Sequence, residues 1–410
     1  MRVLILGINY DPELISTALY TAGMARFLGD QGADVRVITA HPYYPDWKIF
    51  AHFKWWRYHN RREGSDIAIT HCPHYVPKNP SGVKRLIHQI SFALTALPVA
   101  LIYGVSKRPD VVIAIAPSLL STPVAWLAAK LGGAKTWLHI QDFEAEAAVA
   151  TGLFRRGGRL ASAALSFERW IIRRFDRISS ISCGMVAKLD EKGIAADKTY
   201  EFRNWANLTH ISPLPRSKEA KAALGITADQ VVLYSGNIAN KQGLEVVPRI
   251  AQNMADRADL CFVICGDGPF LPKLKQLCAD LTNVVFLPLQ PLEQFNQLLA
   301  MADIHLLPQI AGTGDLVLPS KLTNILASGR PVVANSAPTD PLAIEIRGCG
   351  TAVAVGDDQA MADAISQLLD DPRLWENYAN SARERALENW DENQILRRFY
   401  DALLELAEKP

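Results

Sequence analysis

Two lysines in the second half of the chain stand where backbone N–H groups and a positive charge could hold phosphate. Lys241 lies in "VVLYSGNIANKQG", where Gly236 ends an apolar run and Gly243 precedes the next helical pattern. Lys321 lies in "LVLPSKLTNILASGRPVV", at the expected start of another helix. Helix starts present free N–H groups, and two such loops suit a diphosphate better than one phosphate. For Lys241 alone, an ordinary strand–helix turn with a solvated lysine remains the alternative.

Further polar residues surround these two loops. We expect Ser320 to cap the helix that begins beside Pro319, and Asn324, one turn later, to hydrogen-bond a sugar hydroxyl. In "VICGDGPFLPKLKQL", Gly266 allows a tight turn and places Asp267 at its rim. That turn lacks the G-x-G-x-x-G spacing of a dinucleotide site, and no such fingerprint follows "RVLILG" either, which argues against NAD or FAD.

The first half offers fewer candidates. His139 and Asp142 end the run "TWLHIQD", and Asn9 and Glu13 follow the first run of the chain. Since binding residues of open parallel sheets lie beyond the carboxyl ends of the strands, all four are site candidates. A lone histidine after an apolar run is more often structural, so the pattern alone leaves the role of His139 open.

Apolar β-branched runs alternate with amphipathic stretches along most of the chain, which predicts right-handed crossovers and mostly parallel sheets. The alternation breaks at "LTHISPLPRSKEAKAALGITADQ" and then restarts. The predicted fold class is therefore α/β, with two doubly wound Rossmann-like domains facing a cleft. The predicted boundaries are a first domain over 1–206, a linker and lead-in helix over 207–228, a second domain over 229–385, and a helix over 386–410 that packs back across both lobes.

Charge is distributed unevenly between the halves. Residues 1–206 contain 26 Lys and Arg against 17 Asp and Glu, a balance of +9, whereas the remainder has 17 against 25, a balance of −8. A basic first half favours an anionic partner surface. No recognised nucleic-acid module is present, so membrane phosphates are the expected partner. The six cysteines form no C-x-x-C pair, and the short apolar start is no signal peptide, which together predict a cytoplasmic protein.

One stretch, residues 86–106, is free of Asp, Glu, Lys and Arg and approaches the length of a membrane span. It also contains polar residues and a proline and leads into a strand, so we expect a buried or partly exposed docking helix, with a true span as the minor alternative. Arginines alternate with apolar and aromatic residues in "FKWWRYHNRR" and "LFRRGGRLASAALSFERWIIRRFDR". These segments are either solvated faces or sites of attachment to anionic lipid.

The combined motifs resemble the retaining glycosyltransferases of family 4, which have the two-lobed GT-B fold. "GNIANKQG", "GDGP" and "LVLPSKLTNILASGRPVV" match motifs of the second domain, and "NYDPE", "HPYYP", "HIQDFE" and "RNW" match the first. The resemblance spans the whole chain and is closest to bacterial fucosyl- or N-acetylfucosaminyl-type transferases of colanic acid and O-antigen assembly.

Several positions depart from the family pattern. Asn237 stands where arginine is usual, and the Glu-x7-Glu pair maps to Leu316 and Asn324, so Asp315 would replace the first carboxylate. Ser16, after Ile15, stands where the first-domain loop usually has glycine.

The resemblance implies the following function. The enzyme would move a sugar from a nucleotide-diphosphate donor to a polyprenyl-diphosphate-linked saccharide, with retention of configuration and without a metal or other cofactor. Lys241 and Lys321 would bind the diphosphate, and His139 the reacting sugar. The protein would be peripheral at the inner face of the plasma membrane. A nucleotide-sugar epimerase of the same fold and a non-catalytic binding subunit are the alternatives.

Overall fold

The computed structural model of the chain describes residues 1–64, 66–146, 158–206, 208–310 and 318–408, without the side chains of Ala220 and Lys241. The chain divides into two compact units. The first contains Met1–Arg203 and the chain from Leu396 onwards, and the second contains Asn204–Ile395.

One eight-stranded sheet forms the centre of the first unit. Its strands are β1 Arg2–Leu6, β2 Asp34–Ala40, β3 His59–Glu63, β4 Ile67–Cys72, β5 Val111–Ala116, β6 Lys135–Ile140, β7 Arg177–Ser180 and β8 Thr199–Glu201. They follow the order β3-β4-β2-β1-β5-β6-β7-β8, and each neighbouring pair is parallel except β3 with β4. The central strands are continuous apolar runs, as expected where helices cover both faces of a sheet.

Helices on the two faces connect these strands. The first five are α1 Ser16–Asp30, α2 Gly82–Lys107, α3 Thr122–Gly132, α4 Arg159–Ile172 and α5 Cys183–Glu191. From β1 to β2 the chain moves in one direction along the sheet, whereas from β4 through β8 it moves in the other. Right-handed crossovers therefore place α1 on one face and α2 to α5 on the opposite face.

The second unit has a six-stranded, entirely parallel sheet in the order β11-β10-β9-β12-β13-β14. Its strands are β9 Gln230–Ser235, β10 Leu260–Cys265, β11 Val284–Leu287, β12 Ile304–Leu307, β13 Val332–Asn335 and β14 Gly350–Val353. The remaining helices are α6 Lys218–Ala223, α7 Val246–Asn253, α8 Leu271–Leu277, α9 Phe295–Met301, α10 Lys321–Ala327, α11 Pro341–Glu345, α12 Asp358–Asp370, α13 Pro372–Asn389 and α14 Glu392–Glu408. The direction of winding reverses between β9 and β12, which makes the carboxyl ends of these two strands the expected ligand-binding edge of this unit.

The predicted fold class, two doubly wound α/β domains, is confirmed. Part of "FKWWRYHNRR" forms an antiparallel edge strand that the sequence analysis did not predict, β3, in which Arg61 pairs with Asp11 at 2.9 Å. The closing stretch is two helices rather than one, because Trp390 is buried in the core of the second unit and Asp391 starts a new helix by accepting a hydrogen bond from the Gln394 N–H at 2.8 Å.

Candidate functional site

The turns that follow β9 and β10 pack backbone against backbone. The Gly236 N–H donates to the Cys265 carbonyl at 2.9 Å, and the Ile238 N–H donates to the Asp267 carbonyl at 2.8 Å. Gly266 has a φ of +153°, and a Cβ there would stand 1.9 Å from the Gly236 carbonyl oxygen. Only glycine fits at this position, so the two turns form one compact ledge at the carboxyl edge of the sheet.

Lys321 extends over this ledge from the first residue of α10. Its Nζ lies 3.9 Å from the centroid of the buried Tyr234 ring. A Cβ at Gly236 would meet Nζ at 3.2 Å, so the ammonium lies directly against the glycine turn. The sequence analysis missed Tyr234 as a residue of this edge. Its hydroxyl donates to the Asn237 carbonyl at 2.7 Å and thereby ties the ring under the lysine to the turn.

The environment of Lys321 is unusual for a lysine. Burial lowers the pKa of its ammonium to about 7. Across the described ranges, no carboxylate forms an ion pair with this side chain. A desolvated cation whose described neighbours are an aromatic ring and a glycine gains greatly from an arriving anion. The carboxyl edge of the sheet between β9 and β12, where the direction of winding reverses, therefore has a buried cation that favours the binding of phosphate.

The start of α10 differs from the expectation. Ser320 does not cap the helix with its side chain, because its backbone is already helical, with φ −59° and ψ −23°. The first turn is instead closed one residue earlier, where the Leu322 N–H donates to the Pro319 carbonyl at 2.9 Å. The Ser320 carbonyl accepts a hydrogen bond from the Thr323 hydroxyl at 3.0 Å. The Ser320 hydroxyl thus plays no part in capping.

The other predicted residues of this edge are placed as follows. Asn324 is partly exposed and lies three positions after Lys321, so the two share one side of α10. Asn237 and Asp267 are exposed on the ledge, and the Asp267 side chain accepts a hydrogen bond from the Gly268 N–H at 2.7 Å. Asp315 and its neighbour Leu316 lie outside the described residues.

The loop that contains Lys241 approaches the end of β12. Its backbone forms a short turn over Asn240–Gln242, and Gly243 follows with a φ of +69°. A Cβ at Gly243 would stand 2.8 Å from the Gln309 carbonyl carbon, so the glycine allows the loop to touch the end of β12. Helix α7 begins three residues later than Gly243 rather than at it. The placement of the Lys241 side chain lies outside the description.

In the first unit, Asn9 and Glu13 are buried and hold a loop. The Glu13 carboxylate accepts hydrogen bonds from the N–H groups of Tyr43 and Tyr44 at 2.9 and 2.8 Å, and from the Asn9 amide at 2.9 Å. Burial raises the pKa of Glu13, although these hydrogen bonds oppose the change. This geometry makes Glu13 the anchor of the "HPYYP" loop. Ser16, nearby, is the partly buried first residue of α1.

His139 is buried within the sheet. Its Nδ1 lies 2.9 Å from the Ser179 hydroxyl, which also accepts a hydrogen bond from the Trp137 indole at 2.8 Å. Burial lowers the pKa of His139 to about 3, so the imidazole is neutral at physiological pH. A neutral imidazole can donate one hydrogen bond and accept another, but it supplies no positive charge. Asp142 follows the end of β6 and is partly buried.

A carboxylate that the sequence analysis missed, Glu144, organises the loop after β5. It accepts hydrogen bonds from the N–H groups of Ser118 and Leu119 at 2.8 and 2.6 Å, and from the Gln89 amide at 2.5 Å. The sequence signal for this residue was the glutamate that ends the motif "HIQDFE". Over the residues that the structure describes, no group of three or more His, Cys, Asp or Glu side chains could hold a metal ion.

Comparisons with known proteins agree with this architecture. Residues 17–205 match the model of the glycosyl transferase 4-like domain, and residues 229–371 match the model of glycosyl transferases group 1. The chain is 38% identical over 409 residues to WcaI of Escherichia coli strain K12, named as a colanic acid biosynthesis glycosyl transferase, with 97% of this chain and 98% of the relative covered.

Two solved structures show the same fold at low sequence identity. Sucrose-phosphate synthase of Thermosynechococcus elongatus superposes with a TM-score of 0.77 at 17% identity, over 99% of both chains. HepE of Anabaena, solved in complex with UDP, superposes with a TM-score of 0.71 at 16% identity, over 99% of this chain and 100% of that one. Both likenesses concern the fold alone.

Proposed function

The chain belongs to the glycosyltransferases that combine a 4-like first domain with a group 1 second domain, and we propose that it transfers a sugar from a nucleotide-diphosphate donor to a lipid-linked saccharide. Glycosyl transfer is the activity of the family. The donor class, the acceptor class, the stereochemistry and the independence of metal are the proposal.

The observation that carries the donor assignment is the position of Lys321. Its ammonium lies against the Gly236 turn at the switch point of the second sheet, and it has no acidic partner among the described residues. A nucleotide diphosphate would supply the missing negative charge, with Lys241 approaching from the neighbouring loop. HepE, a fold neighbour, is solved in complex with UDP, which supports a nucleotide donor for this chain as well.

The proposed transfer proceeds with retention and without a metal. Cleavage of the bond between the sugar and the diphosphate leaves negative charge on the leaving group, and fixed cations that face it lower the barrier. Lys321 and Lys241 would fill this role. In a front-face transfer the leaving phosphate helps to deprotonate the acceptor. His139, with its pKa lowered to about 3, would serve as a neutral hydrogen-bond partner of the sugar rather than as a base.

The proposed acceptor is a saccharide on polyprenyl diphosphate, in assembly of exopolysaccharide, capsule or O-antigen. The name of the relative WcaI, which refers to colanic acid biosynthesis, supports a polysaccharide pathway. Such an acceptor is held by the membrane, so we propose a peripheral location at the inner face of the plasma membrane. One described helix, Gly82–Lys107, is long and apolar enough to cross a membrane, judged by length and composition only.

Calorimetric titration of the purified full chain with UDP- and GDP-sugars, in buffer containing EDTA, tests the donor site. One nucleotide class should bind, and Lys321→Ala should weaken binding by about tenfold to a hundredfold, since a charge-assisted hydrogen bond contributes about 1.5–3 kcal/mol. Lys241→Ala should also weaken it. Lys273→Ala, an exposed lysine on α8 of the same unit, is the matched control and should leave affinity unchanged. Equal affinity in Lys321→Ala and Lys273→Ala would refute the assignment.

A transfer assay with the nucleotide sugar that binds and extracted lipid-linked saccharide tests the reaction itself. We expect a radiolabelled sugar to enter the lipid fraction in the presence of EDTA, and NMR of the product should show the anomeric configuration of the donor. Interconversion of the free donor without transfer would instead indicate an epimerase. Transfer that stops with EDTA and returns with added Mg²⁺ would contradict the metal-independent mechanism.

A further inference from the structure

Helix α2 has an apolar face that the first unit leaves uncovered. Val83, Ile87, Ile90, Leu94, Ile102 and Val105 are exposed by 70%, 47%, 41%, 64%, 69% and 56%. Their spacing follows the period of an α-helix, so they form one stripe along its length. At 1.5 Å per residue the stripe is about 33 Å long. Scattered exposed apolar residues are ordinary, but a continuous stripe of this length indicates a binding surface.

The opposite face of α2 is packed into the protein. Phe92, Ala96 and Ala100 are fully buried. Gly104 touches α3 so closely that a Cβ there would stand 2.5 Å from the Ala128 carbonyl oxygen. A helix held in this way along one side cannot be surrounded by lipid. The structure therefore disfavours the true membrane span and leaves a helix that could lie flat on a surface.

Neighbouring elements extend the same face. Helix α3 adds the exposed Leu127 and Leu131, and the Arg174 guanidinium of the α4 end lies 5.2 Å from the Trp126 ring of α3. Trp55 and Trp56, exposed by 67% and 60%, lie on the loop that the Tyr58 hydroxyl ties to the Thr95 carbonyl of α2 at 2.8 Å. Exposed tryptophans beside an apolar stripe are typical of side chains at the depth of lipid headgroups.

Positive charge borders the stripe. Lys84 and Arg85 stand near the start of α2, Lys107 stands at its end and Arg108 follows, and no acidic residue occurs within the helix. At the end of α4, exposed Arg169, Arg173 and Arg174 line a shallow recess together with Trp170. This charge complements anionic headgroups. It disfavours a second copy of the chain as the occupant, because a symmetric contact would bring like charges together.

We propose that the face formed by α2, α3, α4 and the Trp55–Trp56 loop binds an anionic phospholipid bilayer, with α2 lying in the interfacial plane and its apolar stripe inserted into one leaflet. This inference rests on the proposed function, in which the acceptor is lipid-linked, and it assigns the surface by which the enzyme would reach that acceptor. Buried apolar area supplies the affinity and the flanking cations select anionic lipid.

Flotation of the full chain with vesicles tests the proposal. Vesicles of phosphatidylcholine alone are compared with vesicles containing about one third phosphatidylglycerol. We expect binding to the anionic vesicles and weaker binding at high salt. We also expect a loss of about tenfold or more in the partition coefficient of Ile90→Glu/Leu94→Glu, since two apolar side chains would no longer be buried in the leaflet. Leu289→Glu/Leu292→Glu, which changes two exposed leucines of the second unit, is the matched control and should bind like the unchanged protein.

Brominated lipids measure independently how deeply the tryptophan side chains enter the bilayer. Bromine near the headgroup end of the acyl chain should quench tryptophan fluorescence more strongly than bromine near the chain end, and Trp55→Phe/Trp56→Phe should lose most of this quenching. Extraction with alkaline carbonate should release the protein, as expected for a helix that does not span.

The outcomes separate clearly. Absence of binding to anionic vesicles, or equal loss in the two double-glutamate variants, would overturn the proposal. So would a dimer in sedimentation that only Ile90→Glu/Leu94→Glu disrupts, since that result would assign the face to a second copy. Circular dichroism and nucleotide titration of each variant check folding and the donor site. If Ile90→Glu/Leu94→Glu keeps its nucleotide affinity and loses vesicle binding, the result supports this surface. If the unchanged protein binds no nucleotide, the result overturns the proposed function instead.

Discussion

Donor binding should depend on pH through Lys321, and the direction follows from its environment. Burial lowers the pKa of this ammonium to about 7 in the free protein. A diphosphate beside it favours the protonated form, so the pKa must rise on binding. Affinity is then highest where Lys321 is already protonated, below about pH 7, and is lost as pH rises above that value.

The magnitude follows from the protonated fraction. About half of the free protein has a charged Lys321 at pH 7 and about one hundredth at pH 9, so the dissociation constant should rise roughly fiftyfold between these values. This corresponds to about 2.3 kcal/mol of binding free energy. A nucleotide sugar is the suitable ligand for the measurement, because both of its phosphates are esterified and the charge of the diphosphate is constant over this range.

Calorimetric titration at intervals between about pH 6 and pH 9 makes the comparison. The Lys321→Arg variant keeps its charge throughout and should show a flat profile, and Lys321→Met should bind weakly and without a slope. Lys273→Ala should keep the slope of the unchanged protein. A flat profile in the unchanged protein, or an equally steep one in Lys321→Arg, would refute the reasoning.

Three further predictions concern stability. Lys321→Met should stabilise the ligand-free protein by about 1 kcal/mol or more in urea denaturation, because a desolvated ammonium opposes folding at neutral pH; a lower midpoint would argue against its burial. Gly266→Ala should cost at least about 3 kcal/mol, since its Cβ would clash with the Gly236 carbonyl, whereas Gly348→Ala, with a φ of +80° and open space, should cost only about 1–2 kcal/mol. Equal costs would contradict the ledge geometry. Acid should destabilise the first unit before the second, because it contains five of the six described histidines whose pKa burial lowers: His41, His71, His74, His88 and His139, against His305. The unfolded chain takes up protons below about pH 6.5 that these folded side chains do not bind, so stability should fall as pH decreases below that value. His71 and His139, whose pKa values are lowered to about 4 and about 3, should each contribute a loss of about 2 kcal/mol by pH 5. Calorimetry that shows no lower transition at pH 5 than at pH 7 would be the contrary result.

Apolar runs predicted the fold well because a parallel sheet buries both faces of its strands. The runs "RVLILG" and "TWLHIQD", for example, became the buried strands β1 and β6. Strand β3 was missed because an edge strand can be rich in charged residues and then has no apolar run. Its Arg61 pairs with Asp11, which is distant in sequence, so no local pattern predicts the contact. The break between the last two helices was missed as well, because it depends on the burial of Trp390 in a core built from distant segments.

The sequence predicted the parts of the candidate site that consist of glycines and lysines in local motifs. It did not predict the parts that depend on contacts between residues distant in sequence. Gly236, Gly266 and Lys321 are brought together as neighbours at one edge. Tyr234, under the lysine, has no motif of its own. For Glu13, the sequence suggested contact with a sugar or acceptor, whereas its carboxylate is engaged with Tyr43 and Tyr44, about thirty positions later. No local pattern reveals such a partner.

A crystal structure of the full chain with its nucleotide sugar, grown in EDTA, tests the central claim most directly. The account predicts that a phosphate oxygen lies within hydrogen-bonding distance of Lys321 Nζ, above the Gly236 turn, with no metal between them. A diphosphate bound away from this lysine, or one held through a metal ion, would contradict it.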